Sequence, residues 1–293
     1  MALSAGTPDT HNPVAGLLWM TMAALCFSAS FVLVKSLQDG GMTVFQAVLA
    51  RQTLGLLLFL PVLVRSWPQL LKSEVRPRHF LRAATGFIGM CCGYYSLNLI
   101  NLADSVALQF TLPIFTVLCA VWLLGEKVRA HRVIATVIGF GGVLLIVRPG
   151  FGELNWGIFF ALAAAAFYAF SDTNARYLAR YDSFTSIMIH NFVFVILVSA
   201  IPSAYWWVTP PVELWPLILA FAFAGVSAQF CLTRSFAAAE AGLVSPILFL
   251  RLPIVAVVGF VLFDQKTEIW TWVGAGVIFA ATTWMARIET RRA

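Results

Sequence analysis

Arg51, Arg251 and Asp172 each lie well inside runs of apolar residues long enough to cross a lipid bilayer. A charge near the bilayer centre costs at least roughly 2.5 to 3.5 kcal/mol on insertion scales, so each of these groups needs a partner or a task. At about 1.5 Å of rise per residue, Arg51 sits about 12 Å from one end of its run and Arg251 roughly 13 Å from an end of its own, too deep to snorkel. A guanidinium in that setting suits a bidentate, charge-assisted bond to a carboxylate. The carboxylate can belong to a bound small molecule, with Arg251 the first candidate to hold it and Arg51 the second. It can equally belong to Asp172, the one acid well inside a run. Pairing of Asp172 with Arg251 or with Arg176, four residues on, would then hold helices together or gate a passage. Both readings stand on sequence.

The backbone around these residues is interrupted. Pro246 and Pro253 bracket Arg251, and each removes a donor and frees a carbonyl of the preceding turn. Pro113 makes the corresponding break elsewhere, beside Gln109 and Thr111. Interrupted segments at repeat-related positions surround midplane sites, although prolines that only set helix curvature leave the same pattern. The run from Phe80 places Thr85, Gly89, Cys92 and Tyr95 on one face, with Tyr94 and Asn98 at its flank. Small then aromatic positions suit a pocket wall, and Gly89 with Gly93 equally suits close helix contact. His190, about 9 Å inside its run, reads as a buried neutral imidazole.

The elements that position these groups are apolar helices. Hydrophobic residues make up 60% of the 293 and charged residues 11%, against roughly a quarter charged in soluble domains. Ten spans are expected: Val14 to Lys35, Thr43 to Val64, Phe80 to Leu99, Ala103 to Leu124, Arg132 to Val147, Trp156 to Tyr177, Phe184 to Trp206, Leu214 to Phe236, Gly242 to Phe263 and Ile269 to Ala286. Connections of turn length leave no room for a soluble catalytic domain. An intramembrane enzyme would need a nucleophile with its base or a metal set. The chain has no HExxH, GxSxG or GxGD-like pair, and its five cysteines lack zinc or disulfide spacing. No enzyme activity, metal or cofactor is expected. The first run is long enough to remain as a span, and no cleaved signal peptide is expected.

The chain also repeats itself. Leu112-Pro113 followed by Gly125-Glu126-Lys127 matches Leu252-Pro253 followed by Asp264-Gln265-Lys266, with Glu126 and Gln265 offset by 139 residues. Gly16 to Lys35 aligns with Gly157 to Arg176, pairing Ser30 with Ser171 and Cys26-Phe27-Ser28 with Phe167-Tyr168-Ala169. Two units, 14–148 and 156–287, are expected between short ends at 1–13 and 288–293. Five helices in each make the second unit enter the membrane from the opposite side. Arg65, Lys72, Arg76, Arg78, Lys127, Arg129, Arg180, Arg287 and others then gather on the side of the N-terminus, while Lys35, Arg148 and Lys266 stand on the other. That bias places both termini in the cytoplasm. It also accounts for the net charge of +6 without a nucleic-acid partner.

Leu108-Gln109-Phe110-Thr111-Leu112-Pro113, followed by Leu123-Leu124-Gly125-Glu126 and by Gly139 to Ile146, resembles the half-repeat signature of EamA-type members of the drug/metabolite transporter superfamily. Ser245-Pro246 through Pro253 to Asp264-Gln265 is a similar copy, with Gln265 where that family usually has Glu. Length, short loops and aromatic-rich helices resemble most the YddG-type exporters of aromatic and other amino acids. The resemblance implies an all-α bundle of two inverted five-helix repeats around a central cavity that opens alternately to either side. It places Trp19, Ser30, Tyr168, Ser227 and Gln229 around that cavity, with Arg251, Arg51, Tyr94, Tyr95, Asn98 and Gln109. The expected function is export of aromatic and other neutral amino acids and related metabolites across a bacterial inner membrane, with the oligomeric state open and a monomer plausible. An exchanger of a phosphorylated metabolite or nucleotide sugar is the alternative, although phosphate would favour more than two deep cations. The scarcity of deep proton carriers beyond Asp172 and His190 favours facilitated transport.

Overall fold

The computed structural model describes residues 12–58, 60, 64, 73, 75–124, 130–148, 155–239 and 241–290. Gly125, Glu126 and Lys127 and the stretch from Arg65 to Lys72 lie outside them. The described residues are helical with no strand: α1 Pro13–Asp39, α2 Val44–Leu58, α3 Arg76–Ser96, α4 Leu102–Gln109, α5 Leu112–Leu124, α6 Ala130–Val147, α7 Trp156–Leu178, α8 Phe184–Tyr205, α9 Trp215–Ala238, α10 Ala241–Val244, α11 Arg251–Phe263 and α12 Ile269–Thr290. Among them six helical segments are long and apolar enough to cross a membrane, and Val44–Leu58, Val133–Val147 and Ile269–Met285 are shorter apolar helices.

Polar residues at the turns fix where these helices begin. The side chains of Asn12, Asn155 and Ser183 accept from the backbone N–H groups of Ala15, Gly157 and Ser186, each cap being worth about 1 kcal/mol. Gln265 has a structural role of the same kind, its amide oxygen accepting from the Leu102 N–H at 2.9 Å and so starting α4. Two helical segments are interrupted. Phe110 and Thr111 separate α4 from α5, and a 3-10 turn over Ser245–Leu250 precedes α11. Pro113 and Pro253 both fall in the first turn of the helix that resumes, where a missing N–H costs nothing.

The principal helix contacts are α1 on α9, α3 on α7, α6 on α12 and α2 on α8. α6 and α12 run antiparallel and touch backbone to backbone: a Cβ on Gly142 would lie 2.7 Å from the Gly274 carbonyl oxygen, and one on Gly274 2.5 Å from that of Gly142. Gly86, Gly89 and Gly93 turn towards α7, so the small residues of α3 serve close packing.

Contacts divide the bundle into two ends. Asn12 meets Ala238 at the end that holds the N-terminus, whereas Gln38 meets Asn98 and Asn155 meets Leu99 at the far end. The largest apolar cluster, with Phe31, Val34, Leu37, Leu97, Val106 and Phe221, fills the far half. A smaller one, with Met20, Ala23, Cys231, Ala239 and Val244, lies towards the N-terminal end.

At the N-terminal end His79 stacks on His190 at 4.2 Å between ring centroids, and its Nε2 lies 2.8 Å from Asp182, which also accepts from Ser73 at 2.8 Å. His190 is buried, as expected from sequence. Burial alone would raise the Asp182 carboxyl, but the bonds from His79 and Ser73 outweigh it and hold that carboxyl below its ordinary value. A depressed folded-state pKa contributes stability that is present above the unfolded value, about 3.9, and is lost as pH falls through the folded one. Purified protein should therefore lose more of its thermal midpoint between pH 6 and pH 3.5 than Asp182→Asn does. Parallel losses in the two proteins would remove Asp182 from the account.

Candidate functional site

Five helices, α1, α2, α3, α9 and α11, bring the two deep arginines to one place. Arg51 of α2 reaches across the bundle, where its Nη1 donates to the Tyr94 hydroxyl of α3 at 2.6 Å and its Nη2 to the Gly225 carbonyl of α9 at 3.3 Å. Gly225 makes the room, because a Cβ there would stand 2.5 Å from Arg51 Nε. The Arg251 guanidinium lies 5.0 Å from the Phe27 ring centroid and 4.9 Å from that of Phe31, both on α1, within cation–π range. Its Nε is buried with no hydrogen-bond partner.

Among the described residues neither arginine has an acid within 4 Å. Tyr168 of α7 lies within electrostatic reach of Arg51, Arg251, Tyr94 and Cys91. A Cβ on Gly93 would be 3.7 Å from Gln109 Nε2 and 3.8 Å from the Tyr168 hydroxyl, so α4 contributes an amide to the same centre. Gln109 donates to Ser105 at 3.2 Å, and Ser105 bonds Ser96 at 2.6 Å. Arg51, Arg251 and Tyr168 are each half-buried rather than sealed. The arrangement offers two cations, hydroxyl and amide groups, and three aromatic faces to a flat ligand with an acidic or carbonyl-bearing end.

The other sequence candidates have varied surroundings. Asp172 does not meet Arg251. It is exposed one turn along α7 from Tyr168, within electrostatic reach of Arg82 first and Arg176 second, with no ion pair inside 4 Å among the described residues. Arg82 of α3 has the larger electrostatic effect on it, and two buried guanidinium nitrogens of Arg82 have no hydrogen-bond partner among the described residues. Tyr95 shares an exposed stripe with Leu81 and Ile88 and packs edge-on against Phe160, since seven-residue spacing carries all three away from the core. Asn98 donates to Gln38 at 2.6 Å at the far end. Trp19 packs against Phe230 with Arg234 over its ring, an interhelical contact of α1 and α9. Gln229 lies one turn from Gly225, half-buried, and Ser30 is buried with an unpartnered hydroxyl.

Sequence reasoning passed over Phe27, Phe31 and Gly225. The internal alignment held a signal for the first, because it sets Phe27 opposite Tyr168, and both flank Arg251.

Residues 14–148 and 155–287 match the EamA-like transporter family. Similar proteins include a riboflavin transporter of Brucella anthropi, 29% identical over 281 residues that cover 92% of this chain and 98% of that one. An S-adenosylmethionine uptake transporter of Rickettsia bellii is 25% identical, with 94% of each chain covered. A riboflavin transporter of Vibrio cholerae is also 25% identical, with 96% of each covered. One crystal structure shares the fold at a TM-score of 0.64 and 16% identity, over 96% of this chain and all of that one.

Proposed function

We propose, for a chain that belongs to the EamA-like transporter family, that it carries a planar metabolite with an acidic or carbonyl-bearing end across a bacterial inner membrane by alternating access. The observation that carries the reading is the convergence of Arg51 and Arg251, neither with an acid within 4 Å among the described residues, on Tyr168 and the α1 aromatics. A guanidinium kept in an apolar bundle without a carboxylate is costly, and a ligand oxygen offsets that cost. The ten spans then form two inverted five-helix halves with both termini cytoplasmic. The matched segments and the contacts α1–α9 and α3–α7, which exchange under such a symmetry, support this.

Relatives named for riboflavin and S-adenosylmethionine favour a heteroaromatic ring as the planar part. Those relatives narrow the expectation drawn from the resemblance, since none of the three is named as an amino-acid exporter. Amino-acid export is retained as a second reading because one guanidinium stacked on phenylalanine rings also suits an aromatic amino acid's carboxylate. Vesicles containing the purified protein and preloaded with unlabelled compound should show saturable counterflow of labelled riboflavin or S-adenosylmethionine. Counterflow of phenylalanine alone would select the second reading. No exchange above protein-free vesicles for any of the three would overturn the proposed substrate class.

A further inference from the structure

We propose that Tyr94 is the gate of the far mouth and that Arg51 latches it, so that a ligand competing for Arg51 releases the gate. The proposal rests on the alternating-access reading and adds the residues that couple ligand contact to opening.

Tyr94 is fully buried between two rings, edge-on to Phe31 of α1 at 6.2 Å and to Phe221 of α9 at 5.9 Å. All three belong to the apolar cluster that fills the far half of the bundle. Phe221 lies one turn nearer the far end than Gly225, and Tyr94 lies in the last turn of α3, so these packed rings sit on the far-end side of the Arg51 bond. Towards the N-terminal end the picture reverses. Tyr168, Asp172 and Arg176 follow one another at four-residue spacing along one face of α7, and accessibility rises from half-buried Tyr168 to exposed Asp172 and Arg176. The rings beyond the centre are buried, whereas accessibility along this face of α7 rises towards the N-terminal end.

One bond connects the plug to the centre. Arg51 Nη1 donates to the Tyr94 hydroxyl at 2.6 Å while Nη2 is anchored on the Gly225 carbonyl at 3.3 Å. The Tyr94 ring is thereby held by a cation from α2 against aromatics from α1 and α9. A carboxylate or carbonyl oxygen arriving at Arg51 offers a stronger acceptor than a phenol. Capturing Nη1 frees the tyrosine hydroxyl, and a buried hydroxyl without its partner destabilises the closed packing. Opening thus follows ligand contact without a separate sensor. Arg251, stacked on Phe31 at 4.9 Å, touches a second member of the plug from the same centre.

Conformation can be read without a transported compound. In a background with the five cysteines replaced by serine, Leu97→Cys places a reporter one turn beyond Tyr94, at a position now sealed. An impermeant maleimide added on the far side modifies it at a rate set by the far-open population. Tyr94→Phe, which keeps the ring and deletes the latch, should raise that rate about tenfold. Gly225→Ala, which displaces the Arg51 guanidinium without altering the plug, should raise it in the same direction. Unchanged rates in both variants would overturn the latch, whatever the substrate proves to be. A reporter that is never modified, even in both variants, would contradict a far-open state and with it the reading beneath. The counterflow assay tests the substrate class separately.

Discussion

Arg251→Ala should abolish transport while the bundle stays folded. The guanidinium has no acid within 4 Å among the described residues, its Nε is buried without a hydrogen-bond partner, and it lies 5.0 and 4.9 Å from the ring centroids of Phe27 and Phe31. Truncation therefore removes a ligand contact and little of the scaffold. Hydrogen bonds to charged groups are worth about 1.5–3 kcal/mol, so loss of a two-pronged contact should lower transport by about 100-fold or more. Arg251→Lys should recover only part, because an ammonium neither forks onto two oxygens nor stacks flat on phenylalanine. The melting midpoint in detergent should stay level or rise, since an unpaired charge leaves the interior. Wild-type counterflow by Arg251→Ala would assign the residue to the scaffold, and a collapsed midpoint would do the same.

Gly274→Val has the opposite signature, with folding lost first. The added Cβ meets the Gly142 carbonyl oxygen at 2.5 Å and the Ile146 side chain at 2.5 Å, and neither backbone can yield without separating α6 from α12. Overpacking at a rigid contact costs about 1–3 kcal/mol or more, enough to remove most monodisperse protein after mild heating. The same helices supply their own controls. Gly141 and Gly276 have nothing within 4 Å of a Cβ, so alanine there should be neutral or slightly stabilising through helix propensity, up to about 1 kcal/mol. Equal behaviour of Gly274→Val and Gly276→Ala would show that the α6–α12 contact does not hold the bundle.

Much of this was legible before any coordinates because the bilayer imposes a strong rule: backbone polar groups must bond within the segment, so apolar runs of sufficient length become helices. The proline breaks were legible for a related reason, a missing donor having an unambiguous effect on the turn it enters. Arg51 and Arg251 stood out because a deep charge is expensive wherever the helix points. Which aromatic faces which cation was not legible. Tyr94 and Tyr95 are adjacent, yet one is sealed between Phe31 and Phe221 and the other faces outwards, because 100° of helix rotation decides the matter and both flanks of α3 are apolar. Asp172 was judged by depth alone, and depth does not reveal which neighbouring helix lies opposite. Gly225 could not be singled out, since its importance comes from an arginine on another helix.

The most direct test of the central claim is a structure of the protein with its transported compound bound. Oxygens of the acidic or carbonyl end should lie within hydrogen-bond distance of the Arg251 guanidinium and of Arg51 Nη1, with the flat ring against Tyr168 or Phe27 and the Arg51–Tyr94 bond lengthened or broken. A compound bound elsewhere, with Arg251 still lying on its two phenylalanines and Arg51 still on Tyr94, would contradict it.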